Sequence, residues 1–98
     1  MSDNQVELTG AVIEREALRF TPAGVAILAF RVRHESTQTE AKIPRQVKFE
    51  IDAMAAGETA QRMDALRPGQ RVRLQGFLSS RSRLSTRIVL HVNQFAFE

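Results

Sequence analysis

The chain has 98 residues, with six Phe, neither Trp nor Tyr, and no Cys. The lack of Cys excludes disulfide bonds, thiolate nucleophiles and cysteine zinc sites, and the length predicts one domain, residues 1–98, with a modest apolar core. The formal net charge of +3 is concentrated towards the C-terminal end, because residues 65–98 contain six Arg and a single acidic residue, Glu98. Such a one-sided positive charge is typical of proteins that bind a polyanion.

Apolar and polar residues alternate in five segments, which is the pattern of strands with one buried face. The five predicted strands are Val6–Ile13, Val25–Arg33, Val47–Asp52, Arg71–Gly76 and Arg87–Val92. In the second strand, one face is apolar throughout, so we expect it to enter the core with Ala26, Leu28, Phe30 and Val32. By the same alternation, Phe49 of the third strand is predicted to lie in the core.

Turn residues and one helical segment separate these strands. Thr21–Gly24, with the sequence Thr-Pro-Ala-Gly, predicts a turn that joins the first two strands into a hairpin. Ala53–Leu66 has apolar residues at roughly one-turn spacing and predicts a helix, which Pro68 in the following segment ends. We interpret the segment around Pro44 as a mobile loop between the second and third strands.

Three strands, a helix and two further strands form the element order of an OB-fold. We therefore predict an all-β protein, a five-stranded Greek-key barrel with a short helix or helical loop between the third and fourth strands. An SH3-like barrel is the nearest alternative, but it usually lacks a helix at that position. Residues 79–86, with the sequence SSRSRLST, then form the loop between the fourth and fifth strands. OB-folds contact oligonucleotides with this loop.

Six short segments, spread over almost the whole chain, are similar to one known family. They are Leu8-Thr9-Gly10, Thr21-Pro22-Ala23-Gly24, Arg33-His34-Glu35-Ser36, Arg45-Gln46, Val72-Arg73-Leu74-Gln75-Gly76-Phe77-Leu78 and Ile88-Val89-Leu90-His91. At these segments the sequence resembles primosomal replication protein N (PriB), a family itself similar to bacterial single-stranded DNA-binding proteins. The resemblance implies an OB-fold homodimer that binds single-stranded DNA and cooperates with the helicase PriA and with DnaT in restarting stalled replication forks.

The resemblance also implies positions for the DNA contacts. It places a basic residue, Arg19, just before the first turn, and basic residues in the loop between the fourth and fifth strands. The aromatic residue on which relatives stack bases aligns here with Lys48. With neither Trp nor Tyr, the chain is expected to depend more on charge, because base stacking contributes about 1–3 kcal/mol per base in single-strand binders.

The candidate nucleic-acid contacts include residues with a second interpretation. Arg33 can pair with the nearby Glu35, and Arg73 can simply solvate an exposed strand face. Phe77 is a stacking surface if it keeps the outward side of its strand, but it is buried if the strand changes face at Gly76. The full predicted set is Arg19, Arg33, Lys42, Arg45, Lys48, Arg73, Phe77, Arg81, Arg83 and Arg87.

Catalytic and metal-binding patterns are weak in this sequence. His34 and His91 are far apart, and the carboxylates are not clustered as a zinc or magnesium site requires. We therefore predict a protein that is not an enzyme, with no metal site and no cofactor. The first residues lack the basic and apolar regions of a signal peptide, and no apolar stretch approaches membrane-spanning length, so we expect a cytoplasmic protein with no membrane contact.

Two other functions fit the same residues. An RNA-binding OB-fold module needs similar electrostatics, and a protein-interaction adaptor would use the basic surface to bind an acidic partner with only weak nucleic-acid affinity.

The small core also favours a homodimer, which buries additional apolar surface. The resemblance to PriB and to single-stranded DNA-binding proteins places the interface along the first strand, which as an edge strand could pair with its symmetry mate at Val6, Leu8 and Ala11.

Overall fold

The computed structural model describes residues 2–98. Six strands and one short helix follow in the order β1 Val6–Arg15, β2 Arg19–Phe20, β3 Ala26–Glu40, β4 Ile43–Ala56, α1 Glu58–Arg62, β5 Arg71–Ser80 and β6 Ile88–Phe97. The five predicted strands correspond to β1, β3, β4, β5 and β6, and β2 is an additional short strand. No helix in this part of the chain is long and apolar enough to cross a membrane.

The five long strands close into a barrel. The strand order is β1-β5-β6-β4-β3, and a further pairing of β1 with β3 closes the circle, while β2 extends β3 at its start. All pairings are antiparallel except that between β4 and β6, which is parallel. This arrangement confirms the predicted all-β, five-stranded OB-fold barrel with a helical segment before its fourth long strand.

One bent strand, β1, makes closure possible. Its first half, Val6–Ala11, pairs with β5, and its second half pairs with β3 from Ala11 onwards, with a shift in register between Val12 and Glu14. Gly10 lies where the two partners diverge, and a Cβ atom there would lie 2.6 Å from the Arg33 carbonyl oxygen. The missing side chain therefore lets β1 cross close to β3.

The core fills the barrel interior with aliphatic side chains. The predicted inward face of the second strand is confirmed, because its four apolar residues are at most 3% exposed. Met63 and Leu66, in the segment after α1, are also buried and cover one end of the barrel. Phe49 departs from the prediction, since it lies beyond the barrel interior, remains 39% exposed and packs against His34 with ring centroids 5.1 Å apart.

The predicted helix over Ala53–Leu66 is too long. Its first residues belong to β4, where Ala53 and Ala55 face the core opposite Phe30 and Leu28. The helix itself covers only Glu58–Arg62. Alanine favours helices in isolation, but small side chains are also what a crowded barrel interior accepts, and here the tertiary environment decides.

The segment predicted as a mobile loop is instead a long hairpin. β3 and β4 pair continuously up to Glu40 opposite Ile43, and the connection is a two-residue turn at Ala41 and Lys42. Both turn residues have positive φ, 53° and 66°, as a tight hairpin turn that matches strand twist requires. Pro44 is therefore a strand residue opposite Thr39.

The predicted turn at Thr21–Gly24 is present. It connects β2 with β3, and its ends are joined by hydrogen bonds in which Thr21 N–H donates to the Val25 carbonyl and Val25 N–H donates to Thr21 Oγ1. Gly24 has a φ of 85°, so a residue without a side chain suits this position. The turn supports β2 and so fixes Arg19 beside β3.

Candidate nucleic-acid interface

A cleft of about 720 Å³ lies on the outward face of the barrel. It extends from residues 14–19, after the bend in β1, across β3, β4 and β6 to the end of β5 and the loop of residues 81–87. We call this segment the β5–β6 loop. The cleft lies between two loops, which is where OB-folds bind extended ligands.

Strand alternation places apolar and polar side chains on the cleft floor. In β4, Ala53 faces the core, so Asp52 and Met54 face outward. In β6, Leu90 faces the core, so Val89 and His91 face outward. The floor therefore combines short apolar surfaces with a carboxylate and an imidazole, which suits contact with flat, partly polar groups.

An ion-pair network crosses the floor. Asp52 Oδ1 lies 3.1 Å from Arg31 Nε, and Asp52 Oδ2 accepts a hydrogen bond of 3.0 Å from Arg87 Nη2. Arg31 also lies 3.3 Å from Glu50 and 3.6 Å from Glu14. The Arg31 Nε contact is an ion pair without hydrogen-bond alignment, since that nitrogen has no hydrogen-bond partner among the described residues. Part of the positive charge of the cleft is thus neutralised within the protein.

Two arginines of the β5–β6 loop, Arg81 and Arg83, carry positive charge without such neutralisation. Arg81 N–H donates to the Arg87 carbonyl at 2.9 Å and closes the base of the loop. The side chains of Arg81 and Arg83 are exposed, and neither makes an ion pair within residues 2–98. Arginines in this state are available to bind phosphate groups.

Only part of the predicted contact set meets at the cleft. Arg19 lines it on one side, and Arg81 and Arg87 line it on the other. Arg83 belongs to the same loop, one residue beyond Ser82. The sequence therefore predicted the two basic borders of the cleft, although it did not show that Arg87 is already paired.

The other predicted basic residues lie outside the cleft lining. Four of them form ion pairs, Arg33 with Glu50, Arg45 with Glu40, Lys48 with Glu35, and Arg73 with Glu7 and Glu98. Local pairing of Arg33 was one of its two interpretations, and its partner is Glu50 rather than the nearby Glu35. Lys42 is exposed at the hairpin turn.

Phe77 keeps the outward side of β5 and is 40% exposed. Its ring stacks on His91 of β6, with centroids 4.9 Å apart and an interplanar angle of 4°. The predicted alternative, burial through a change of face at Gly76, is not what the strand does. His91, Met54 and Asp52 were absent from the sequence-derived set, because only the strand register brings them to one surface.

Comparison with known proteins decides the family. The model of a family described as another single-strand binding protein family matches residues 4–94. The replication restart protein PriB of Nitrosomonas europaea is 40% identical over 89 residues, which cover 91% of this chain and 82% of that protein. The chain belongs to the PriB replication restart proteins. The PriB protein of Bordetella pertussis is 37% identical over 91 residues, or 93% of this chain and 85% of that one.

Solved structures agree with this PriB assignment. PriB from Ralstonia solanacearum superposes with a TM-score of 0.87 at 32% identity, covering 99% of this chain and all of that chain. The single-stranded DNA-binding protein from Thermus aquaticus superposes with a TM-score of 0.77 at 22% identity, covering 97% of this chain and 50% of that chain, and shows the shared fold. The family assignment also confirms the prediction that this PriB protein is not an enzyme.

The strand predicted as a dimer interface is only partly open. Ala11 pairs with Arg71 of β5 and with Arg33 of β3, so its backbone is enclosed within one chain. Val6 and Leu8 pack partly buried against the core. From Val6 to Gly10, β1 pairs with β5 on one side and with no described strand on the other. β1 is therefore an edge strand over its first half alone.

Proposed function

We propose that this protein binds single-stranded DNA in the cytoplasm and acts in replication restart together with the PriA helicase and DnaT. The observation that carries the proposal is the arginine-bordered cleft on the outward barrel face of a chain from the PriB family. The cleft is open to solvent and can accept an extended strand, and the arginine side chains at its two borders can bind phosphate groups of that strand.

Charge and surface chemistry support this mode of binding. Arg81 and Arg83 contribute unpaired positive charge, which releases counterions from a phosphate chain on contact. The partly exposed side chain of Met54 on the cleft floor contacts bases, which are exposed only when the strand is unpaired. The predicted dependence on charge rather than on Trp or Tyr stacking remains part of this proposal.

Fluorescence anisotropy of a labelled poly-dT oligonucleotide over a salt series tests the proposal. We expect tight binding at low salt and a steep loss of affinity as salt rises, with a slope near −0.7 per phosphate contact. A poly-rU competitor of the same length separates DNA binding from the RNA alternative. Equal affinity at low and physiological salt, or stronger competition by RNA than by DNA, contradicts the proposal.

We also infer that the protein acts as a homodimer through the open half of β1. Thr9 directs its carbonyl away from β5, where it accepts a hydrogen bond of 2.7 Å from His34 Nδ1. In an antiparallel ladder alternate residues point the same way, so the backbone groups of Glu7 also point to the open side. Pairing of two such edges about a two-fold axis would satisfy these groups and place two clefts on one particle.

A further inference from the structure

The outward face of β5 and β6 carries an aromatic pair next to the cleft. Phe77 and His91 are direct partners across the two strands, and their rings are stacked and nearly parallel. His91 also lines the cleft, and it lies opposite Met54 in the parallel pairing of β6 with β4. The aromatic pair therefore continues the cleft floor across the sheet towards β5.

Gly76 is the structural reason for this alignment. The register between β5 and β6 shifts between Gln75 and Gly76, and a Cβ atom on Gly76 would lie 1.7 Å from the His91 carbonyl oxygen. The strands approach closely only because Gly76 has no side chain. The close approach puts Phe77 opposite His91 rather than opposite a residue further along β6.

Phe77 is one of several exposed apolar side chains, and its ring is stacked in parallel on a second aromatic ring next to the cleft. An outward aromatic ring costs hydration free energy, and a ring held by a stacked neighbour has lost the freedom to turn away from water. A nucleobase offers a flat π-surface that can add a further layer to such a stack without base-specific hydrogen bonds. The exposed fraction of the ring, 40%, leaves room for that contact.

We propose that Phe77, held in orientation by His91, is a base-stacking platform for the single strand as it leaves the cleft. The platform rests on the proposed DNA-binding function and assigns a specific base contact to it. The strand then passes from the β5–β6 loop over the outer face of β5.

The natural absence of Trp and Tyr provides a direct test. A Phe77→Trp variant contains the only indole in the protein, and stacking of a thymine base on it is expected to quench its emission when poly-dT is added to saturation. Phe97→Trp is the matched control, since Phe97 is also a partly exposed phenylalanine, at 46%, but packs edge-on against Phe95 away from the cleft. Its emission is expected to stay constant.

Affinity measurements with Phe77→Leu complete the test. Loss of one base stack is expected to weaken poly-dT binding roughly tenfold while leaving the salt slope unchanged, because no phosphate contact is removed. In the Phe77→Trp background, His91→Ala is expected to reduce the quenching, since the indole then lacks the ring behind it; full quenching there would remove His91 from the platform.

The outcomes separate the two proposals. If the unmodified protein binds no poly-dT at low salt, the proposed function fails, and the platform fails with it. If the unmodified protein binds but Phe77→Trp emission is unchanged at saturation, the platform alone is wrong. Should Phe77→Leu fail to fold, the Phe77→Trp emission still decides the question.

Discussion

Arg87 Nη2 donates a hydrogen bond of 3.0 Å to Asp52 Oδ2 across the floor of the cleft. The carboxylate of Asp52 is 20% exposed, and it faces Arg31 with its other oxygen. A phosphate that binds Arg87 must therefore compete with a carboxylate already in place. Asp52 therefore competes with the phosphate for Arg87. Its removal is expected to raise the affinity for DNA, whereas the removal of a contact residue lowers it.

Asp52→Asn is expected to strengthen poly-dT binding and to make the salt dependence steeper, because Arg87 and Arg31 gain positive charge that phosphate can neutralise. Asp52 is only 20% exposed and pairs with both Arg31 and Arg87, so its loss should also lower the free energy of unfolding, by about 1–3 kcal/mol. Anisotropy titrations check the affinity. Glu40→Gln is the control. It removes the same charge, but Glu40 pairs with Arg45 on the hairpin and not with an arginine of the cleft. Equal gains in both variants would mean that only net charge matters.

A double variant tests the β5–β6 loop. Arg81→Ala with Arg83→Ala is expected to weaken binding and to reduce the salt slope by about 1.4, since each lost phosphate contact removes about 0.7. The melting temperature should change little, because both side chains are exposed and make no ion pair in the described chain.

The control for the loop variant is Arg45→Ala with Arg73→Ala, which removes the same charge from residues paired outside the cleft. If this control weakens binding as much as the loop variant does, the contact is not specific to the loop and the contact surface also includes the hairpin and β5.

Gly76→Ala is expected to destabilise the barrel, by about 1–3 kcal/mol, because the new methyl group collides with the His91 backbone rather than with a movable side chain. Chemical denaturation measures the loss. Gly57→Ala serves for comparison, as it has open space around the position and only the strain of a φ of 68°. A smaller effect at Gly76 than at Gly57 would show that the two strands separate at less cost than the backbone strain at Gly57.

The homodimer is tested by Glu7→Pro. The Glu7 N–H points to the open side of β1, so proline removes no hydrogen bond within one chain but blocks pairing with a second copy. Light scattering at micromolar concentration should show a dimer for the unmodified protein and a monomer for this variant. Glu7→Ala, which loses only the ion pair with Arg73, should remain dimeric. A monomeric unmodified protein contradicts the proposal.

The sequence predicted the barrel because alternation is a local property. Every long strand had its own inward and outward residues, and these matched the observed burial at Leu28 and Leu74. Where composition and tertiary packing disagree, the prediction failed, as with the alanines of β4. The prediction for Phe49 failed for a related reason. Its side chain lies on the same side of β4 as the core residues, but this part of β4 extends past the end of the barrel.

The candidate site was predictable only at its borders. A loop rich in Arg is visible in the sequence, so Arg81 and Arg83 were found. The partners of an arginine depend on strand register, and nothing local to Arg87 indicates that Asp52 lies beside it, 35 residues away along the chain. The stacked pair of Phe77 and His91 depends on register in the same way.

Alternation along β4 also divides this protein into two independent sets of positions. Ala53 and Ala55 determine how tightly the barrel closes, whereas Asp52 and Met54 meet whatever lies in the cleft. Exchanges in the second set leave the barrel interior unchanged, so ligand preference can change over successive substitutions at a smaller cost in stability than exchanges at Ala53 or Ala55. An aromatic residue can therefore be lost at one outward position and gained at another, while the protein still folds at each step.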